Sequence, residues 1–92
     1  MKYFEWDSEK NVFLKTEREL SFEEVVVAIS EGKLLDIVEH PSKKRYPNQQ
    51  IFILEINHYA YLVPFIEDDQ KIFLKTIIPS RKATRDYIIK KK

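Results

Sequence analysis

The chain has 92 residues, no cysteine and a formal net charge of +1, a size that fits a single domain over residues 1–92. Without cysteine it has no disulfide framework, no thiolate metal site and no cysteine nucleophile. The sequence shows neither a signal peptide nor an apolar run of membrane-spanning length, so we expect a cytoplasmic protein with no membrane partner.

The first predicted element is a helix over residues 8–18. Asp7 is a suitable N-cap, because its carboxylate can accept hydrogen bonds from the amides of the first turn. The apolar residues Val12 and Phe13 are predicted to face the core. Charged neighbours would then face solvent.

A second helix begins at Ser21 and ends before Gly32. Ser21 and Glu24 have the spacing of a capping box, in which each side chain bonds the backbone amide of the other residue. Gly32 supplies the left-handed conformation that commonly follows the last turn of a helix. The predicted buried face consists of Val25, Val26, Ala28 and Ile29.

Four runs rich in β-branched and aromatic residues follow, at residues 34–40, 50–57, 59–66 and 71–78. Asn57 and His58 suit a two-residue hairpin turn, and residues 67–70 suit a polar four-residue turn. Because both connections are short, these pairs of strands are predicted to be antiparallel. Pro64 indicates a bulge or an edge in the third strand.

The last predicted element is a basic helix over residues 81–89. Pro79 ends the fourth strand, and Ser80 is placed to cap the helix. The predicted fold is therefore α+β in the order α-α-β-β-β-β-α. An antiparallel four-stranded sheet would pack with two N-terminal helices and one C-terminal helix.

Charge is distributed unevenly along the chain. Residues 1–40 contain ten acidic and five basic side chains, whereas residues 71–92 contain eight basic side chains and one acidic. A basic terminal element on an acidic protein is typical of proteins that bind a polyanion or an acidic partner.

The candidate site consists of basic side chains and of tyrosines near them in the sequence. Arg81 and Arg85 are four residues apart and would share one face of a helix, where they could hold a phosphate. The remaining candidates are cations and tyrosines that could contact RNA, namely Lys75, Lys82, Tyr87 and the loop residues Lys43, Lys44, Arg45 and Tyr46. The alternative is a solvated face, or a dock for the acidic side chains of the first helices.

No cofactor or metal is expected. The chain has one glycine and two histidines, so it lacks a glycine-rich phosphate loop and a metal-spaced histidine pair. His40 and His58 are poor candidates for ligands, because a site normally needs three or four convergent groups.

Three segments resemble the BrnT family of bacterial toxins. They are Phe-Glu-Trp-Asp at residues 4–7 with Lys10 and Asn11, then Ser-Phe-Glu-Glu at 21–24, and Pro-Ser-Arg-Lys-Ala-Thr-Arg-Asp-Tyr at 79–87. The resemblance extends over nearly the whole chain, and the stretch that enters the last helix is its most specific part.

The resemblance implies a RelE-like fold and a ribonuclease that arrests translation by cutting RNA, either free or on the ribosome. It also implies an antitoxin of the ribbon-helix-helix class that neutralises the toxin and binds operator DNA. By this resemblance Arg81, Lys82 and Arg85 belong to the family's C-terminal basic motif, and Tyr87 follows it.

Two departures from the family pattern concern catalysis. Members usually carry Lys-His-Gly between the first two helices, where this chain has residues 17–20, and an arginine near the end of the third strand, where it has residues 65–67. Arg45 and Lys75 are the candidates to replace the cation of the family pattern that this chain lacks.

For a ribonuclease we expect metal-independent attack of the ribose 2′-hydroxyl on the adjacent phosphate, with cations stabilising the developing charge. Arg81 and Arg85 would hold the phosphate, and Lys82 or Tyr87 would transfer a proton if its pKa were lowered. Two other classes remain open: a non-catalytic binding module, and a diverged toxin that acts on another target such as DNA gyrase.

Overall fold

The computed structural model describes residues 2–90. It is an α+β structure, so the predicted fold class is confirmed. In chain order the elements are β1 (Tyr3–Trp6), α1 (Ser8–Arg18), α2 (Phe22–Ser30), β2 (Leu34–Glu39), β3 (Gln49–Ile56), β4 (Tyr59–Glu67), β5 (Lys71–Leu74), β6 (Ile78–Pro79), α3 (Arg81–Ala83) and a π-helix (Thr84–Ile89).

The sheet differs from the predicted one. Its strand order is β1-β5-β4-β3-β2, and β6 also pairs with β4. The pair β1 and β5 is parallel, whereas the other pairs are antiparallel. The predicted antiparallel sheet of four strands is therefore corrected to a mixed sheet that also contains β1 and β6. The predicted element order α-α-β-β-β-β-α is corrected as well, because the first element of the chain is a strand.

Pro64 lies inside β4, where a bulge or an edge was predicted. It stands opposite Ile51 of β3 in continuous register. On its other side, β4 pairs with β6 through Tyr61 and Leu62, and with β5 from Phe65 onwards. Pro64 therefore lies where the partner of β4 changes from β6 to β5. At this position the missing amide proton removes no regular hydrogen bond of the sheet.

The two faces of the sheet are covered differently. The helix-covered face packs against α1 and α2, and its core contains Phe52, Leu54, Val63, Phe65 and Leu74. The rings of Phe52 and Phe65 stack with centroids 3.9 Å apart. Because side chains alternate along a strand, their neighbours lie on the opposite, second face. A smaller cluster covers part of that face.

Helix α1 begins and ends as predicted, but a different stripe of it is buried. Asn11 and Leu14 face the core, whereas Val12 and Phe13 are 62% and 51% exposed. The prediction for Val12 and Phe13 was therefore wrong. Asn11 is buried because its side-chain oxygen accepts a hydrogen bond from the Phe22 amide at 2.8 Å, and its amide donates to Glu23 at 2.8 Å.

The predicted helix caps and the hairpin turn are confirmed. The Asp7 carboxylate accepts from the amide of Glu9, and the Ser21 hydroxyl accepts from the amide of Glu24. The return bond of the predicted capping box differs, because the Glu24 carboxylate accepts from the Ser21 hydroxyl at 3.3 Å and not from the Ser21 amide. Gly32 has φ of +79°, and the amide of the following lysine bonds the Ala28 carbonyl, which completes the end of α2. Asn57 and His58 both adopt positive φ in the turn between β3 and β4.

Two further observations concern residues 2–90. None of their helices has the length and apolar character that a membrane span requires. Their histidine and carboxylate side chains form no group of three or more that could hold a metal ion.

Candidate nucleic-acid interface

The C-terminal helix, residues 81–89, crosses the second face of the sheet. Its N-cap is Ser80, whose hydroxyl accepts from the Ala83 amide at 3.1 Å. Thr84 is buried, and its hydroxyl accepts from the Ala60 amide and donates to the Ser80 carbonyl, each at 2.8 Å. These bonds tie the start of the helix to β4.

The helix was predicted as α over its whole length, but only its first turn is. From Thr84 it continues as a π-helix, and the Lys90 amide bonds the Arg85 carbonyl at 2.8 Å. Ala83, Tyr87 and Ile88 all pack on the second face. The π-helix, whose turn is wider than that of an α-helix, occurs where these side chains pack on the sheet. Such π turns are common at functional sites.

Tyr87 anchors the far end of the helix to the edge strand β2. Its hydroxyl donates to the Asp36 carboxylate at 2.7 Å. This hydrogen bond raises the pKa of Tyr87 and lowers the pKa of Asp36. Proton transfer by Tyr87 would need a lowered pKa, and the structure shows a shift in the other direction.

An open cleft of about 360 Å³ lies between the C-terminal helix and the β2 edge. Its floor is apolar and consists of Val38, Ile51, Ile53 and Leu62. Its charged lining residues are Glu39, Lys82 and Asp86, but Glu39 stands opposite Gln50 in the sheet, so its side chain lies on the helix-covered face, where it pairs with Lys43. The cleft therefore presents the Lys82 ammonium group and the Asp86 carboxylate beside an apolar floor.

The predicted cations of the C-terminal helix divide into two groups. Lys82 lines the cleft, whereas Arg81 and Arg85 are exposed residues of the same helix that do not line it. The Arg85 side chain lies 3.4 Å from the carboxylate of its neighbour Asp86. The three cations thus form one basic surface at and beside the cleft.

Lys75 lies on the same face but nearer the other edge of the sheet. Its backbone amide bonds the Pro64 carbonyl at 2.8 Å, and Pro64 stands opposite Ile51 of the cleft floor. Its ammonium group lies 5.5 Å from the centre of the Phe73 ring. The backbone of Lys75 is therefore about two strand spacings, roughly 10 Å, from that of Ile51 in the floor of the cleft.

The basic loop, residues 41–48, starts at the mouth of the cleft. Pro41 lines the cleft, whereas Lys43 forms an ion pair with Glu39 and lines a separate depression with residues 47–50. Lys44 and Arg45 are exposed. Tyr46 is half-buried: its ring centre is 4.5 Å from that of His40 and 5.7 Å from the Arg45 guanidinium. Base stacking on Tyr46 would compete with the His40 ring.

Sequence reasoning missed the carboxylates of this region. Glu39 and Asp86 line the cleft, and Asp36 holds Tyr87. Their positions in the sequence give no sign of this, because Glu39 lies at the end of β2 and Asp86 lies 47 positions further along the chain. Only the packing of the helix across the sheet brings Glu39 and Asp86 to one cleft.

A larger cavity of about 500 Å³ lies on the opposite side, between α2 and the β3–β4 turn. Its charged residues are mostly acidic: Glu23, Glu24, Glu31, Glu55, Lys33 and His58. The ring of His58 is 3.6 Å from Glu55 and almost fully exposed. This cavity does not include any of the predicted site residues.

Comparison of the chain with protein-family models, with curated proteins and with solved structures gives no match. Arguments about function therefore depend on the site itself.

Proposed function

We propose that the protein is the toxin of a type II toxin-antitoxin pair and that it acts on RNA through the cleft beside its C-terminal helix. A RelE-like, BrnT-like arrangement, with helices on one face and a basic helix across the other, is part of this proposal. The antitoxin, a DNA-binding protein of the ribbon-helix-helix or a similar class, would cover the same basic surface.

One observation carries the proposal. The C-terminal basic motif and the basic loop are about 40 residues apart in sequence, yet both reach the lining of the cleft, the first through Lys82 and the second through Pro41. A cation in the wall of a groove suits a phosphate, and an apolar floor suits bases or a ribose.

The geometry suggests a division of roles. Arg81, Arg85 and Lys75 are exposed cations that can hold phosphates, and Lys82 can stabilise the charge that develops at the scissile phosphate. Asp86 is better suited than Tyr87 to accept the 2′-hydroxyl proton, because Asp86 lines the cleft and Tyr87 is held by Asp36, and the departing 5′-oxygen would take a proton from water.

The proposal is tested by controlled expression in a bacterium, with growth and new RNA 5′ ends as the readouts. The wild-type protein is expected to arrest growth and to produce new ends, and the double variant Arg81→Ala, Arg85→Ala is expected to do neither. Lys15→Ala with Lys33→Ala is the matched control, because it removes two cations from the N-terminal half.

Each other outcome rejects a part of the proposal. Growth arrest without new RNA ends would indicate a non-catalytic binding module, and arrest with DNA damage would indicate a target such as gyrase. Normal growth with intact RNA would reject the toxin. Loss of activity in the lysine control would show that net charge, and not the C-terminal basic motif, is responsible.

A further inference from the structure

The C-terminal helix covers the second face over β2, β3 and part of β4, and leaves the other half of that face open. The open half consists of side chains from β1, β5 and the end of β4. The backbone register places Tyr3 beside Lys71, Phe73 beside Glu5, and Ile66 beside Phe73. Their strand neighbours Phe4, Ile72 and Leu74 point into the core on the helix-covered face.

This open half combines accessible rings with cations. Tyr3 is 54% and Ile66 37% exposed, and Phe73 is half-buried. Lys75 holds its ammonium group 5.5 Å from the centre of the Phe73 ring. Lys71 and Glu5 form an ion pair at 2.7 Å, and this contact raises the pKa of Lys71. The Lys71–Glu5 pair is neutral overall, and Lys75 is the cation next to the Phe73 ring.

We propose that Tyr3 and Phe73 form a stacking platform for the bases of a single-stranded nucleic acid whose backbone continues into the cleft. The inference rests on the proposed action on RNA and extends it by a second contact surface. Rings on an open sheet face are a common way of binding unpaired bases, since every base offers a flat surface.

Continuity with the cleft favours a nucleic acid over a second protein. Lys75 stands between the platform and the cleft floor at Ile51, so phosphates of one strand could pass Lys75 on the way to Lys82. From β1 to β3 the path crosses three strand spacings, roughly 14 Å, which corresponds to a few nucleotides.

The experiment measures binding of a fluorescent 2′-O-methyl oligoadenylate of about 12 nucleotides. This probe has no free 2′-hydroxyl, so the protein cannot cleave it by 2′-hydroxyl attack. The variants are Tyr3→Leu and Phe73→Leu, which keep an apolar side chain but remove the ring. Phe13→Leu is the matched control, because Phe13 is also exposed with a lysine ammonium 5.5 Å from its ring, on helix α1.

The platform predicts about tenfold weaker binding for each ring lost, and unchanged binding for Phe13→Leu. The slope of log K against log salt should stay the same in the ring variants, because stacking releases no counterions. Lys75→Ala should lower that slope by about 0.7, the value for one phosphate contact on a single strand. A fully base-paired probe should not distinguish wild type from Tyr3→Leu.

The outcomes separate the platform from the proposed function. Wild-type affinity in Tyr3→Leu and Phe73→Leu, together with lost affinity in Arg81→Ala, Arg85→Ala, would overturn the platform and leave the RNA-binding cleft in place. No binding by the wild-type protein would overturn both. A wild-type dimer by sedimentation that becomes a monomer in a Tyr3→Asp variant would assign this face to a second copy of the chain and overturn the platform.

Discussion

The two faces of the sheet differ in how completely they are covered. On the helix-covered face, Leu14, Phe22, Val25 and Leu54 are almost entirely removed from water. On the second face, the C-terminal helix covers only part of the sheet and leaves a cleft on one side and accessible rings on the other. We infer that the first face supplies most of the folding free energy and that the second face is available for binding.

A matched pair of leucines gives the strongest test of this comparison. Leu54 is fully buried on the helix-covered face, and Leu62 is half-buried on the second face. We expect Leu54→Ala to lower the free energy of unfolding by about 2–5 kcal/mol, and Leu62→Ala by about 1 kcal/mol. Urea unfolding followed by circular dichroism measures both, and equal losses would contradict the comparison.

A smaller effect is expected where the C-terminal helix is tied to the sheet. In Thr84→Val the buried Ala60 amide would lose its acceptor, so we expect a loss of about 1–3 kcal/mol in the free energy of unfolding. Thr16→Val on the exposed side of α1 is the control and should change stability by less than about 0.5 kcal/mol. A stable Thr84→Val variant would mean that the helix is held mainly by its apolar contacts.

The smallest expected effect is the pH dependence of the Tyr87–Asp36 bond. The lowered pKa of Asp36 means that this stabilisation is complete above about pH 5 and decreases below about pH 4, as the carboxylate is protonated. The raised pKa of Tyr87 means that it also decreases as pH rises beyond about 10.

The stability difference between wild type and Tyr87→Phe should therefore be constant from about pH 5 to 9 and shrink at both extremes. Urea unfolding over this pH range measures it. Tyr59→Phe is the control, because its hydroxyl makes no side-chain hydrogen bond within residues 2–90. A difference that did not depend on pH would show that the ionised carboxylate does not contribute.

Features with a local cause could be predicted from the sequence. The caps at Asp7, Ser21 and Ser80 need only a side chain that bonds amides two or three residues ahead. The turn at Asn57 and His58 needs two residues that tolerate positive φ between two apolar runs. Both kinds of signal lie within a few residues of the structure that they specify.

Features that depend on distant partners could not be predicted in this way. Strand β1 has four residues and pairs in parallel with β5, which lies 68 positions further along the chain. The buried side of α1 is determined by Asn11, whose side-chain oxygen accepts a hydrogen bond from the Phe22 amide, and not by the apolar residues Val12 and Phe13. No local pattern encodes either contact.

For the candidate site, the sequence by itself determined the supply of charges: a basic C-terminal helix that begins at Ser80, and a basic loop after β2. Only the tertiary structure decided which of them meet, because the cleft forms where that helix crosses the sheet. There Lys82 joins Asp86, Tyr87 is held by Asp36, and Tyr3 and Phe73 remain accessible on the uncovered strands. Long-range packing, and not local propensity, sets these positions.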